Sequence, residues 1–300
     1  MNKKSLYIIM GACLAFLALV LGIFTLLKTD LNVDGKIKIT TSAAVWGDIA
    51  KQIGGEHVNV TSVLSDPSAD PHLFESGAAD TSKITNADIV IVNGLGYDDF
   101  MDKALATKQK TNRAYINVAQ VMGAPAGANP HLWYHIPQVQ LVAGEIANKL
   151  GEKDPQNQAD YQKNLAVFVD SLQPLIARLD DIRTNHPNAP IAYTERVAGY
   201  LASDATLRVI SPESFASAIE EGNEPSPSDQ ATLRDIITTK QIKVLLYNEQ
   251  AESQVTKDVR SLADQKNIPV VAMGETPPTN MRYQEWQLGH LDSLIRALNN

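Results

Sequence analysis

Residues 154–184 read DPQNQADYQKNLAVFVDSLQPLIARLDDIRT, and this run decides the architecture. Asp154-Pro155 is a helix start, with Asp at the cap and Pro at the first helical position, where its missing N–H is no loss. Tyr161, Leu165, Phe168, Leu172, Leu175, Leu179 and Ile182 then recur at three- and four-residue steps, the apolar stripe of one helix. At 1.5 Å per residue such a helix is roughly 40 Å long. Pro174 lies inside it and removes one backbone donor, so a kink is expected there.

Outward from this run, strands and helices alternate on both sides. Before it, strands are expected at Lys36–Thr41, Val58–Leu64, Asp88–Val92 and Ala114–Asn117, with helices near Ala43–Ile53, Asp98–Ala106 and Ile136–Leu150. After it come strands at Pro190–Tyr193, Leu207–Ile210, Ile242–Tyr247 and Ile268–Ala272. They alternate with helices at Phe215–Glu221, Ser228–Lys240, Glu252–Gln265 and Tyr283–Leu298. Short apolar strands between helices argue for buried parallel sheets. The fold class is therefore α/β: two lobes with parallel-type sheets flanked by helices, joined by one long connecting helix. The lobes read as residues 29–153 and 186–300, with the connector at 154–185.

Lys3 and Lys4 precede an uncharged apolar run from Ser5 to Leu27, closed by Lys28. Its length is that of a membrane-spanning helix. The lysines favour a cytoplasmic N-terminus. Residues 1–28 are thus expected to anchor the chain in the cell membrane as an N-terminal membrane helix. Cleavage as a signal peptide and acylation at Cys13 are the rival readings. All three put the bulk of the chain on the extracytoplasmic side.

The 300 residues carry a net charge of −8, which argues against a nucleic-acid partner. Cys13 is the sole cysteine, so an intrachain disulfide and a Cys-rich zinc site are both excluded. Any metal must be held by His, Asp, Glu or water. Of six histidines, His57, His186 and His290 read as surface residues. His72 and His131 differ, because both follow proline and precede Leu and an aromatic: Pro71-His72-Leu73-Phe74 and Pro130-His131-Leu132-Trp133. Loops at the carboxyl ends of parallel strands are where open α/β sheets bind ligands. His135, four residues on, is an alternative candidate. In the second half Glu195 and Glu275 each stand just past a strand, where the bland alternative is a solvated loop acid.

At these residues the sequence resembles a known family, the metal-binding solute receptors of manganese and zinc ABC importers, the long-helix cluster of periplasmic-type binding proteins. The similarity spans about residues 36–298. It rests on Asp70-Pro71-His72-Leu73-Phe74-Glu75 with Asn86 to Gly94, Asn129-Pro130-His131-Leu132-Trp133, Thr194-Glu195 through Tyr200-Leu201, and Glu224-Pro225-Ser226-Pro227-Ser228, in that order.

The resemblance implies His72, His131, Glu195 and Glu275 as ligands of one divalent cargo ion, Zn2+ or Mn2+, with Fe2+ also fitting. Glu275 stands where the family usually has Asp, and His135 near a place where it often has Asp. No catalytic cofactor and no enzymatic activity are expected. The implied partners are an ABC permease and its ATPase, and the chain is expected to be a monomer. Two imidazoles and two acids suit an ion of intermediate hardness. The donors must shed protons to bind, so affinity should weaken through the range near ~6.5 where imidazole ordinarily titrates. The alternatives are a zinc-dependent hydrolase using the same cluster and a surface adhesin on this fold.

Overall fold

The computed structural model describes residues 35–68 and 74–300. The expected membrane helix of residues 1–28 lies outside the described residues, as does the Asp70–Leu73 segment with His72. Among the described residues no helix is long and apolar enough to cross a membrane. The account that follows is of the unit Ile37–Asn300.

The chain opens with β1 (Ile37–Ala43), α1 (Ala44–Gly54) and β2 (Val58–Leu64), followed by α2 (Ala78–Asn86), β3 (Ile89–Val92) and α3 (Asp99–Thr107). The first lobe is completed by β4 (Ala114–Asn117), the short α4 (Val118–Val121) and α5 (Ile136–Lys153). Its four strands pair in parallel in the order β2-β1-β3-β4. Successive side chains of a strand face opposite ways. Ile89 and Ile91 accordingly enter the large core between the layers, while Val90 and Val92 pack with Ile84 and Met101 in a smaller cluster.

The run that opened the sequence reading folds as two helices, α6 (Gln158–Ser171) and α7 (Gln173–Asn185). The break falls at Leu172, and Pro174 occupies the first turn of α7, where its missing donor is tolerated. The expected kink is present as a bend at Leu172, whose backbone stays in the right-handed helical region. Tyr161, Phe168, Leu172, Leu175, Leu179 and Ile182 of the stripe are buried, and Leu165 is partly buried against them. Asp154 is not the cap of α6, because a 3-10 turn at Pro155–Asn157 intervenes. Its carboxylate instead accepts from Asn157 Nδ2 at 2.7 Å and Tyr161 Oη at 2.8 Å.

The second lobe runs β5 (Pro190–Tyr193), α8 (Gly199–Asp204), β6 (Arg208–Val209), α9 (Glu213–Glu220), α10 (Pro227–Thr238), β7 (Val244–Asn248), α11 (Gln254–Gln265), β8 (Val270–Met273) and α12 (Tyr283–Leu298). Its order, β6-β5-β7-β8, repeats that of the first sheet, again all parallel. Ser226 caps α10 by accepting from Asp229 N at 3.1 Å. One apolar cluster runs through both lobes, from Ile39 and Ile91 to Ile191, Leu246 and Val271.

The helix α12 bridges back to the first lobe. Asp48 Oδ2 of α1 accepts from Tyr283 N at 2.8 Å, Gln284 bonds Gln52, and Tyr283 Oη donates to Trp133 O at 2.7 Å. Burial raises the Asp48 carboxyl above its usual range despite these bonds. His290 on this helix departs from the surface placement expected of it. Its ring stacks on Tyr134 and meets Trp286 edge-on, with Tyr134 Oη 3.2 Å from Nδ1. The helix period turns position 290 toward the same layer as Tyr283 and Trp286. His57, also expected at the surface, does have a partner: Asp160 at 3.3 Å.

Candidate metal centre

The carboxyl ends of both sheets supply the site. Glu195 lies two residues past the end of β5 and Glu275 two residues past β8. His131 belongs to the loop that follows β4 and α4, and a 3-10 turn at Leu132–Tyr134 takes over from it. Its Nε2 lies 3.5 Å from Glu195 Oε1 and 3.4 Å from Glu275 Oε2, and all three side chains are fully buried. One donor atom from each falls within 4.8 Å of the others. The structure therefore brings together three of the four residues singled out in the sequence, from both lobes. The fourth, His72, is outside the described residues. His135 is not in the group. It stacks on Tyr200 and its Nδ1 lies 2.9 Å from Asp204 Oδ2.

Asn129 decides which imidazole nitrogen can take an ion. Its Oδ1 accepts from the backbone N–H of His131 at 3.0 Å, so that atom is the oxygen of the amide. The same oxygen lies 2.7 Å from His131 Nδ1, which must then carry a proton and donate. In the neutral ring the lone pair is left on Nε2, the atom facing the two acids. The amide nitrogen of Asn129 donates to Arg196 O at 2.7 Å, tying the histidine loop to the residue after Glu195.

A second asparagine does the reciprocal work for the acids. Asn248, the last residue of β7, accepts from Gln250 N at its Oδ1, which fixes its amide nitrogen on the other side. That nitrogen donates to Glu195 Oε2 at 2.5 Å and to Glu275 Oε1 at 2.9 Å. Gln250 Oε1 receives the backbone N–H groups of Glu275 and Thr276, holding the loop after β8. Arg196, the residue after Glu195, grips Glu220 with two bonds of 2.8 and 2.7 Å.

Tyr97, in the loop after β3, donates its hydroxyl to Glu275 Oε2 at 3.2 Å, across the lobe boundary. Burial and the Glu275 charge push its phenol well above the ordinary value, so it stays a donor. The loop that aims it is held by Asp98, whose carboxylate accepts from Asn93 N and Gly94 N. Gly94 sits at φ +84°, and a Cβ there would come 2.8 Å from Asn117 Oδ1. Asn93 Nδ2 in turn donates to Pro130 O, the residue before His131. Asn248, Asn129 and Tyr97 went unremarked as functional groups in the sequence. Asn248 had one legible signal: it ends a parallel strand, and the two acids stand two residues past the ends of theirs.

The family model for ZnuA, the periplasmic component A of a zinc-uptake complex, matches residues 39–297. The chain belongs to this family. The resemblance read from the motifs is thereby borne out. The manganese-binding lipoprotein MntA of Bacillus subtilis (strain 168) is 25% identical over 284 residues, covering 89% of this chain and 91% of the relative. An iron ABC transporter substrate-binding lipoprotein, MtsA of Streptococcus pyogenes, is 30% identical over 185 residues, covering 57% of this chain and 59% of the relative. The periplasmic zinc-binding protein TroA of Treponema pallidum has the same fold, with a TM-score of 0.74 at 17% identity, covering 88% of this chain and 99% of that one.

Proposed function

We propose that this ZnuA-family chain is the extracytoplasmic substrate-binding subunit of an ABC importer, and that it captures one divalent transition-metal ion between its lobes for delivery to a permease and its ATPase. The observation that carries the reading is the meeting of His131 Nε2 with Glu195 Oε1 and Glu275 Oε2, contributed by two lobes and shut away from water. His72 is the fourth ligand in this reading. The family match, the manganese-binding lipoprotein and the iron ABC transporter substrate-binding lipoprotein support it. Zn2+ and Mn2+ are the proposed cargoes, and Fe2+ also suits the donors. A sealed cluster suits holding an ion as cargo rather than presenting metal-bound water to a bulky substrate, so the protein is a binder and not an enzyme. Residues 1–28 keep it at the membrane.

Calorimetry of metal-stripped protein with Zn2+ and Mn2+ tests the assignment. His131→Ala should lose more than the roughly 10–100-fold that outer partners of a metal ligand cost. Wild-type affinity in that variant would remove His131 from the site.

A further inference from the structure

The acids of this site are held by a neutral group, the buried amide of Asn248, and its geometry bears on which ion is taken. A primary amide has two N–H bonds on one nitrogen. Asn248 spends one on Glu195 Oε2 and the other on Glu275 Oε1, while Gln250 N, bonded to Oδ1, prevents the amide from flipping. Glu195 Oε1 and Glu275 Oε2 are the oxygens turned toward His131 Nε2. Asn248 N also lies against Thr194 Oγ1, at the residue before Glu195, so the strand end itself is registered to the first acid.

We propose that Asn248 is a specificity-determining positioning residue: by holding one oxygen of each acid, it restricts both carboxylates to single-oxygen contact with the ion and biases the site toward zinc over manganese. The inference rests on the metal-binding reading given above. Zinc is commonly satisfied by four tetrahedral donors. Manganese favours six-coordinate, oxygen-rich surroundings. A carboxylate can supply two oxygens to one ion only if its second oxygen can rotate inward. At both acids that rotation breaks a buried hydrogen bond to Asn248. Removing the amide releases both second oxygens at once, and the benefit falls to the ion that wants more oxygens.

The test compares wild type with Asn248→Ala and Asn248→Ser, using competition calorimetry with Zn2+ and Mn2+ and X-ray absorption at the metal edge. A chelating carboxylate reveals itself by a short metal–carbon path. Wild type should lack that path, and both variants should gain it. The ratio of manganese to zinc dissociation constants should fall by about tenfold, the scale at which outer partners tune metal sites. A merely structural role for Asn248 would weaken both ions alike and leave the ratio unmoved, which overturns the inference. A chelating carboxylate in wild type overturns it too, whether or not the variants fold. Wild-type protein that binds neither ion overturns the metal-binding reading, and this inference with it.

Discussion

Replacing Asn129 by alanine isolates the device that prepares His131. The change removes one oxygen that accepts from His131 N at 3.0 Å and from Nδ1 at 2.7 Å, and one nitrogen that donates to Arg196 O at 2.7 Å. Each buried polar group left dry costs about 1–3 kcal/mol, so stability should drop measurably. Affinity should drop for a separate reason. Without the acceptor at Nδ1 the imidazole proton can settle on Nε2, and the ring can turn. Loss of such an orienting partner costs about 10–100-fold in metal affinity, or roughly 1.4–2.8 kcal/mol. Asn129→Asp separates the two effects. It keeps an acceptor for Nδ1 but turns its second oxygen on the Arg196 carbonyl. Calorimetry with Zn2+ and urea denaturation, run on both variants, should show Asn129→Asp losing stability while binding far better than Asn129→Ala. If Asn129→Ala binds within about twofold of wild type, below even the low end of that range, the tautomer argument fails.

Tyr97→Phe removes one hydrogen bond to Glu275 Oε2, and at about 0.5–1.5 kcal/mol it should weaken metal binding roughly two- to tenfold by calorimetry; no change would place the hydroxyl outside the site's energetics. His290 should make stability depend on pH. Burial lowers its pKa from 6.5 to about 4, so the unfolded chain takes up a proton that the folded chain refuses. That stability is complete above pH 6.5 and is lost as pH falls toward 4, with a ceiling of about 3 kcal/mol that partial exposure of the ring reduces. Urea denaturation at several pH values should show a shallower acid loss in His290→Gln, and equal slopes in the two proteins would count against it. Stripping the metal should leave the radius of gyration in solution scattering unchanged. Tyr134 Oη bonded to Gly274, and Tyr200 Oη bonded to Asn129 O, join the lobes without an ion, and a marked expansion on stripping would contradict this.

The alternation of strand and helix was legible because its signal is local. Val58–Leu64, Ala114–Asn117, Pro190–Tyr193 and Tyr283–Leu298 fall where the apolar pattern places them. The helices α2, α4 and α8 were not read: α2 is nearly without a stripe, burying only Ile84 and Thr85, and the other two have six residues or fewer. His131, Glu195 and Glu275 could be singled out by their place after strands and by resemblance. Their convergence was implied by the resemblance alone, since from the residues themselves it depends on how two sheets meet. His290 was misread for the same reason. Trp286 is its neighbour one turn back on the same helix, but Tyr134 comes from a turn far away in sequence, and only packing reveals that contact. Asn248 and Asn129 act through hydrogen-bond direction, and sequence carries no trace of which way an amide points.

Because both sheets have the same strand order and present their carboxyl ends to one boundary, the centre is a property of the lobe packing and of no single segment. Among the described residues its candidate donors come from positions 131, 195 and 275, and Asn248 stands between the last two. The accuracy of the site then depends on what keeps the lobes from sliding. The bent pair α6–α7 links them covalently, but the bend at Leu172 makes it a poor lever for sub-ångström control. The helix α12 is better placed. Tyr283 is pinned to Asp48 and Trp133 of the first lobe, while the body of the helix packs on β8, whose end leads into Glu275. Tyr134 closes the circuit, since its hydroxyl both donates to Gly274 O and accepts from Gly274 N, one residue before that acid. The distance from His131 to Glu275 is thus set by a short loop of contacts through residues 131–134, 274–275 and 283. The distance to Glu195 is set by Asn129 and Arg196. Each acid is registered to the imidazole by its own tie across the boundary, and Asn248 registers the acids to each other.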